Sequence, residues 1–180
     1  HDIVFNTNVK NGDGIDFRNG CSFCLVDAIS GTTSDDTVAC TALNGSYITP
    51  ESNYVYPMQP MGLEYAGDAA DIHDMVIRNI RTGGKHHGVI CLATAPSVYN
   101  ISIENVLEEA PSVRESCVRI YTGYGSGYGK GNLRNISVTN VVSRGARFAV
   151  IVKADVKDVQ FAGVRQLRED GATHLFEGES

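Results

Sequence analysis

Apolar and polar positions alternate along most of this chain, in runs too short and too regular in their alternation for amphipathic helices. Asp74-Met75-Val76-Ile77-Arg78-Asn79-Ile80, Asn100-Ile101-Ser102-Ile103-Glu104-Asn105-Val106 and Asn135-Ile136-Ser137-Val138-Thr139-Asn140-Val141 are copies of one pattern. A weaker copy runs from Asp158 to Val164, and Asp2-Ile3-Val4-Phe5 opens another. Alternation at a period of two predicts strands with one buried face. The starts at Asp74, Asn100, Asn135 and Asp158 are 26, 35 and 23 residues apart, within the roughly 20–45 of solenoid repeats.

A second type of strand recurs between these copies. Gly14-Ile15-Asp16-Phe17, Thr37-Val38-Ala39-Cys40, Val89-Ile90-Cys91 and Val118 to Tyr121 belong to it. Each turn of the repeat therefore holds at least two strands with no helical period between them, which predicts an all-β fold, a stacked parallel β-helix. Ile15, Val38, Val89, Val118 and Ala149 fall in one inward column, and Phe17, Cys40, Cys91, Ile120 and Ile151 in another. The residues between them, Asp16, Ala39, Ile90, Arg119 and Val150, then point outward, because strand side chains alternate. Asn79, Asn105 and Asn140 end equivalent strands and are expected to form an inward hydrogen-bonded ladder from coil to coil.

At 180 residues and 42% hydrophobic content, residues 1–180 read as one domain. Inserted loops at 44–71 and 122–132 hold six of the eight tyrosines, and Tyr121 stands just before the second. Tyr121 and Tyr124 beside the second loop are candidate sugar-stacking residues, since binding groups concentrate on loops held by a rigid scaffold. The net charge of −6 argues against nucleic acid as a partner. No uncharged stretch is long enough to span a membrane, and no basic segment with an apolar run opens the chain. The first residues already lie in a strand repeat, so the reading is of a partial solenoid. Further N-terminal coils, or another chain, would cap its apolar end.

Cys21 and Cys24 form a single C-x-x-C with no second pair for zinc. Cys40 and Cys91, in the inward column, read as small buried hydrophobes. The run Gly123 to Gly129 fits neither a dinucleotide nor a P-loop spacing. Neither a metal nor a cofactor is assigned. The Asn-x-Ser/Thr sequons at Asn44, Asn100 and Asn135 include two on the strand repeat, where the β pattern itself accounts for them.

Chemistry enters with clusters that arrive coil after coil: Asn11-Gly12-Asp13, Ser34-Asp35-Asp36, His86-His87-Gly88 and Arg119-Ile120-Tyr121. Each alone is an ordinary turn or strand sequence. On stacked strands they converge on one surface. Adjacent carboxylates oppose each other's ionisation, so one can keep a proton and act as an acid at mild pH. Carboxyl groups roughly 6.5–9.5 Å apart would leave room for water and give inversion at a sugar carbon.

These four motifs, in this order, resemble glycoside hydrolase family 28, the polygalacturonases and related pectin-backbone hydrolases. That family carries Asn-Thr-Asp, Asp-Asp, Gly-His-Gly and Arg-Ile-Lys on successive coils of a right-handed parallel β-helix. Asp13 to Asp36 is 23 residues, Asp36 to His87 is 51 and His87 to Arg119 is 32; the long middle interval contains the first loop. The resemblance, from the first residues to about Val164, implies an inverting, polysaccharide-directed hydrolase at the cell surface or outside the cell, acting on cell-wall carbohydrate. It implies Asp35 as the general acid and Asp13 and Asp36 as the groups that position and deprotonate water. His87 would tune the acid, Arg119 would bind the sugar at the cleavage point, and Asn11 would stand beside it.

Three departures bear on substrate. The family's Lys is Tyr121, which removes a positive charge; Gly12 replaces Thr and Ser34 replaces Gly; His86 is an extra histidine. The alternative is a non-catalytic glycan-binding or structural β-helix of the viral tail-spike or adhesin type, since fold alone does not give function. A polysaccharide lyase would need calcium, for which Asp68, Asp71 and Asp74 are the candidates, off the stacked strand.

Overall fold

The computed structural model describes residues 1–43, 67–94, 96–109, 115–122 and 132–177. Most of both tyrosine-rich loops lies outside them, Tyr124 included. The described strands are β1 (Ile3–Asn6), β2 (Ile15–Phe17), β3 (Ser22–Thr32), β4 (Val38–Ala42), β5 (Ile72–Thr82), β6 (His87–Ala93), β7 (Val98–Glu108), β8 (Ser116–Tyr121), β9 (Leu133–Ser143), β10 (Phe148–Lys153), β11 (Val156–Ala162), β12 (Arg165–Gln166) and β13 (Ala172–Glu177). A single 3₁₀ turn at Gly67–Ala70 is the helical element among the described residues. Among the described residues, no helix is long and apolar enough to cross a membrane.

The strands sort into two sheets. One runs β1-β3-β5-β7-β9-β11, with β12 also on β9; the other runs β2-β4-β6-β8-β10-β13. Neighbours pair in parallel throughout. Through β10 the chain alternates between the sheets, so each coil adds one long strand to the first and one short strand to the second. That is a stacked parallel β-solenoid.

The long strands bend because particular residues turn left-handed. Asp74, Asn100, Asn135 and Asp158 form one positive-φ row, and Asn79, Asn105 and Asn140 another, all between 50° and 56°. Asn and Asp tolerate this region better than other non-Gly residues. Amide side chains then link the coils: Asn105 Nδ2 donates to Asn79 Oδ1 at 3.0 Å, and Asn140 Nδ2 to Asn105 Oδ1 at 3.1 Å. Asn100 Nδ2 donates to Asp74 Oδ1 at 3.0 Å, and Asn135 Nδ2 to Asn100 Oδ1 at 2.6 Å. The ladder is there, doubled, but its side chains are exposed rather than inward. A left-handed residue at a bend swings its side chain to the convex side and leaves the concave side to Ile77, Ile80, Ile101, Ile103 and Val106, each at most 2% exposed.

The short strands hold the predicted columns with one correction. Ile15, Val38, Val89 and Val118 share a row, as do Phe17, Cys40, Cys91 and Ile120. In the next coil the partners are Val150 and Val152, not Ala149 and Ile151. Phe148 aligns with Ser116, so Ile151, not Val150, continues the outward row of Asp16, Ala39, Ile90 and Arg119. The run Ala149 to Val152 is apolar at every position, so alternation could not mark its register. On the outer face, Ala39, Ile90 and Leu92 are also buried, packed with Leu43 and Tyr121 into a second apolar cluster.

Candidate active site

The motif residues gather where the short strands begin. Extending the register by two residues from Ile15, Val38 and Val89 places Asp13, Asp36 and His87 in one row, and His87 pairs directly with Ser116. At these ends the ladder leaves backbone N–H groups to be satisfied, and carboxylates take them. Asp13 Oδ1 accepts the N–H of Asp36 at 3.0 Å, and Asp36 Oδ1 accepts the N–H of His87 at 3.1 Å. Each acid is thereby fixed by the coil that follows it.

Tight approach explains the glycines. A Cβ on Gly88 would lie 2.6 Å from the Cys117 carbonyl oxygen, and one on Gly12 would lie 2.7 Å from Ser34 Oγ. Ser34 Oγ donates to the Val9 carbonyl. Gly12 and Ser34 thus exchange bulk across two coils: where the resembled motifs have Thr then Gly, this chain has Gly then Ser, in contact. Behind Asp35 and Asp36, a fully buried hydroxyl chain fixes the turn. Thr33 and Thr37 oxygens are 3.3 Å apart and those of Thr37 and Thr82 2.7 Å, while Thr33 Oγ1 donates to the Asp35 carbonyl at 2.8 Å.

One oxygen from each of Asp13, Asp35 and Asp36 falls within 4.8 Å of the others. This is closer than the inverting gap expected from the coil spacing, because the Asp13 carboxylate reaches onto the next coil to accept the Asp36 N–H. Like charges this close cannot all ionise freely. Burial, then Asp36, Asp16 and Asp35, pushes the Asp13 carboxyl up to about 7. Asp36 is also raised, chiefly by burial, with His86 opposing. Asp16, one row outward, is pushed up to about 6 by burial against the pull of Arg18.

The two histidines divide their duties in a way the sequence did not indicate. His86, the extra one, touches the acids: its Nδ1 lies 2.8 Å from Asp35 Oδ1 and 3.0 Å from Asp36 Oδ1. Its hydrogen bond to Asp36 raises its pKa against the effect of burial. His87 is fully buried. Burial first, then the charges of His86 and Arg119, drives its pKa down to about 2, so it is neutral. Nδ1 lies 3.0 Å from Ser116 Oγ and Nε2 lies 3.0 Å from Arg119 NH1. Since the guanidinium can only donate, Nε2 accepts and the ring proton sits on Nδ1. The side-chain contact with Asp35 is made by His86.

Arg119 completes the group, and a residue absent from the sequence reading holds it. Its NH1 donates to Glu115 Oε2 at 2.8 Å, and its guanidinium carbon lies 4.2 Å over the Tyr121 ring. Tyr121 is therefore a platform for Arg119. Glu115 also approaches His86 Nε2 at 3.8 Å and His87 Nε2 at 3.7 Å. Lying just before the Arg-Ile-Tyr strand, it carried no pattern that marked it. Asn11 is exposed with a φ of 54°, the geometry of a turn residue at the rim.

Asp71 and Asp74 have structural duties. Asp71 Oδ1 accepts the Ser97 N–H at 2.7 Å, and Asp74 is held by His73 and Asn100. Donor atoms close enough to share a cation occur instead at Asp13, Asp35 and Asp36, and at Asp36, His86 and His87. In the second group both His87 nitrogens are already engaged by Ser116 and Arg119. Compared with protein-family models, with curated proteins and with solved structures, the chain matches none.

Proposed function

We propose that this protein is a polysaccharide-directed glycoside hydrolase on a right-handed parallel β-helix, working outside the cell or at its surface. The observation that carries the reading is the convergence of Asp13, Asp35 and Asp36 within 4.8 Å, beside His86 and Arg119, on successive coils. Right-handed winding follows the strong preference of parallel strand crossovers. The resemblance of the four motifs supplies the reaction class.

At mildly acidic pH the three-carboxyl unit holds a proton on Asp13, whose carboxyl burial pushes up to about 7, and the short spacing lets that proton pass to Asp35. Asp35 is the outlet: its side chain is 27% exposed against 12% for Asp36, so a glycosidic oxygen can reach it. Asp35 donates the proton to the leaving oxygen as the bond from the sugar carbon breaks. Asp13 and Asp36, held rigid by their backbone donors, orient the attacking water and take its proton, which restores the unit. His86, charged between Asp35 and Asp36, balances part of the negative charge. The nearest-oxygen spacing is closer to the roughly 5–5.5 Å of retaining enzymes than to the inverting gap. Inversion therefore rests on the resemblance, and proton NMR of the first-formed anomer decides it.

The test is a reducing-end assay against pectic and neutral polysaccharides, with Asp35→Asn as the control. New reducing ends that vanish in Asp35→Asn support the assignment. Equal activity in variant and parent removes Asp35 from the acid role. Binding without cleavage across the panel favours the glycan-binding alternative.

A further inference from the structure

We infer that the sugar unit held at Arg119 is uncharged, and that Glu115 enforces this selectivity. The inference rests on the glycan-site reading and adds a substrate class to it. A uronate carboxylate is gripped best by two parallel N–H groups of a guanidinium. Arg119 cannot offer them. Both protons of NH1 are committed, one to Glu115 Oε2 at 2.8 Å and one to His87 Nε2 at 3.0 Å. Nε is buried without a partner, so the side-on fork is closed to a ligand as well. The guanidinium face is covered by Tyr121 at 4.2 Å. What remains is NH2, whose two N–H groups diverge from one nitrogen and suit hydroxyl or ring oxygens rather than the parallel grip of a carboxylate.

The surroundings point the same way. Arg18 is paired with Asp16, His86 with Asp35 and Asp36, and Arg119 with Glu115. A single His86 faces two carboxylates, so even with Asp13 protonated the cluster carries excess negative charge and repels a polyanion. Glu115, 48% exposed, keeps an acceptor edge toward solvent that a sugar hydroxyl can use and a carboxylate cannot.

Affinity gel electrophoresis of the Asp35→Asn chain separates recognition from cleavage. Neutral galactan, galactomannan and xyloglucan, polygalacturonate, and chitosan form the neutral, anionic and cationic arms. At least one neutral polymer is expected to retard the chain more than polygalacturonate or chitosan. Adding Glu115→Gln releases one charge-paired N–H of Arg119, worth about 1.5 kcal/mol or roughly tenfold in affinity, so the preference over polygalacturonate narrows by about that factor. Tighter binding of polygalacturonate or chitosan than of every neutral polymer overturns the inference. So does an unchanged preference in the double variant, or no retardation by any polymer. Failure of the wild-type chain to release reducing ends would sink hydrolysis while leaving this comparison decisive.

Discussion

Replacing Glu108 with alanine tests the claim that single buried carboxylates hold the turns of this solenoid. Glu108 is fully buried, and Oε2 accepts N–H groups of Arg144, Gly145 and Ala146 at 2.6, 2.7 and 3.2 Å, with Ser143 Oγ at 3.2 Å. Alanine leaves those backbone donors unsatisfied, at about 1–3 kcal/mol each. Water entering the vacated space recovers part of the loss. A net cost of about 3–5 kcal/mol is expected, the range for breaking a buried charge network. Glu108→Gln keeps a neutral acceptor of roughly half the strength, so about 1–2 kcal/mol. Urea unfolding gives the total. Amide exchange at Arg144, Gly145 and Ala146 gives the location, because coils of a solenoid couple mainly to their neighbours. Native protection of those three amides in Glu108→Ala would refute the reasoning, whatever the midpoint.

Other consequences are simpler. Asp13 has a folded pKa near 7 against an ordinary 3.8, so the folded state binds the extra proton between those values. Its effect is to lower stability as pH rises from about 4 to 7. Asp13→Asn should remove that slope, read from thermal midpoints at pH 4 and pH 8. Asn105→Ala, at a φ of 56°, should cost about 1 kcal/mol more than Asn105→Gly, because both lose the ladder but only Ala is strained; equal urea midpoints would contradict this. Gly88→Ala should destabilise by about 1–3 kcal/mol, since the added methyl meets the Cys117 carbonyl; calorimetry measures it.

What the sequence revealed depended on whether a pattern had contrast. Asn105 and Asn140 recur against apolar neighbours, so the coils and the long strands were legible. Their facing was not, because alternation does not encode a left-handed residue that turns its side chain out of the bend. Ala149 to Val152 has no polar member, so its register was lost by one. The acids were legible because three carboxylates recur before short strands. The division between His86 and His87 was not, since adjacent identical residues differ only in which way the strand end faces them. Glu108 was invisible because it works through a neighbouring coil, and Glu115 because its pairing with Arg119 follows no repeat; a lone Glu has no period.

The same device joins fold and chemistry at this end of the solenoid. Asp13 caps the Asp36 N–H, Asp36 caps the His87 N–H, and Glu108 caps the amides of residues 144–146. On the last of these turns the carboxylate is fully buried and purely structural. On the earlier ones Asp13 is only partly buried and Asp36, though buried, shares its field with its neighbours. A capping carboxylate becomes an acid–base group once a second one, Asp35, is placed beside it and the site stays open to a sugar. Substituting Asp13 or Asp36 therefore removes a cap along with a functional group, and lost activity there does not separate the two. Asp35 is the discriminating position: its carboxylate contacts His86 at the open edge, so Asp35→Asn should leave the urea midpoint within about 0.5 kcal/mol of the parent while hydrolysis is lost. If stability and activity fall together in that variant, Asp35 is another cap, and the acid must be sought at Asp13.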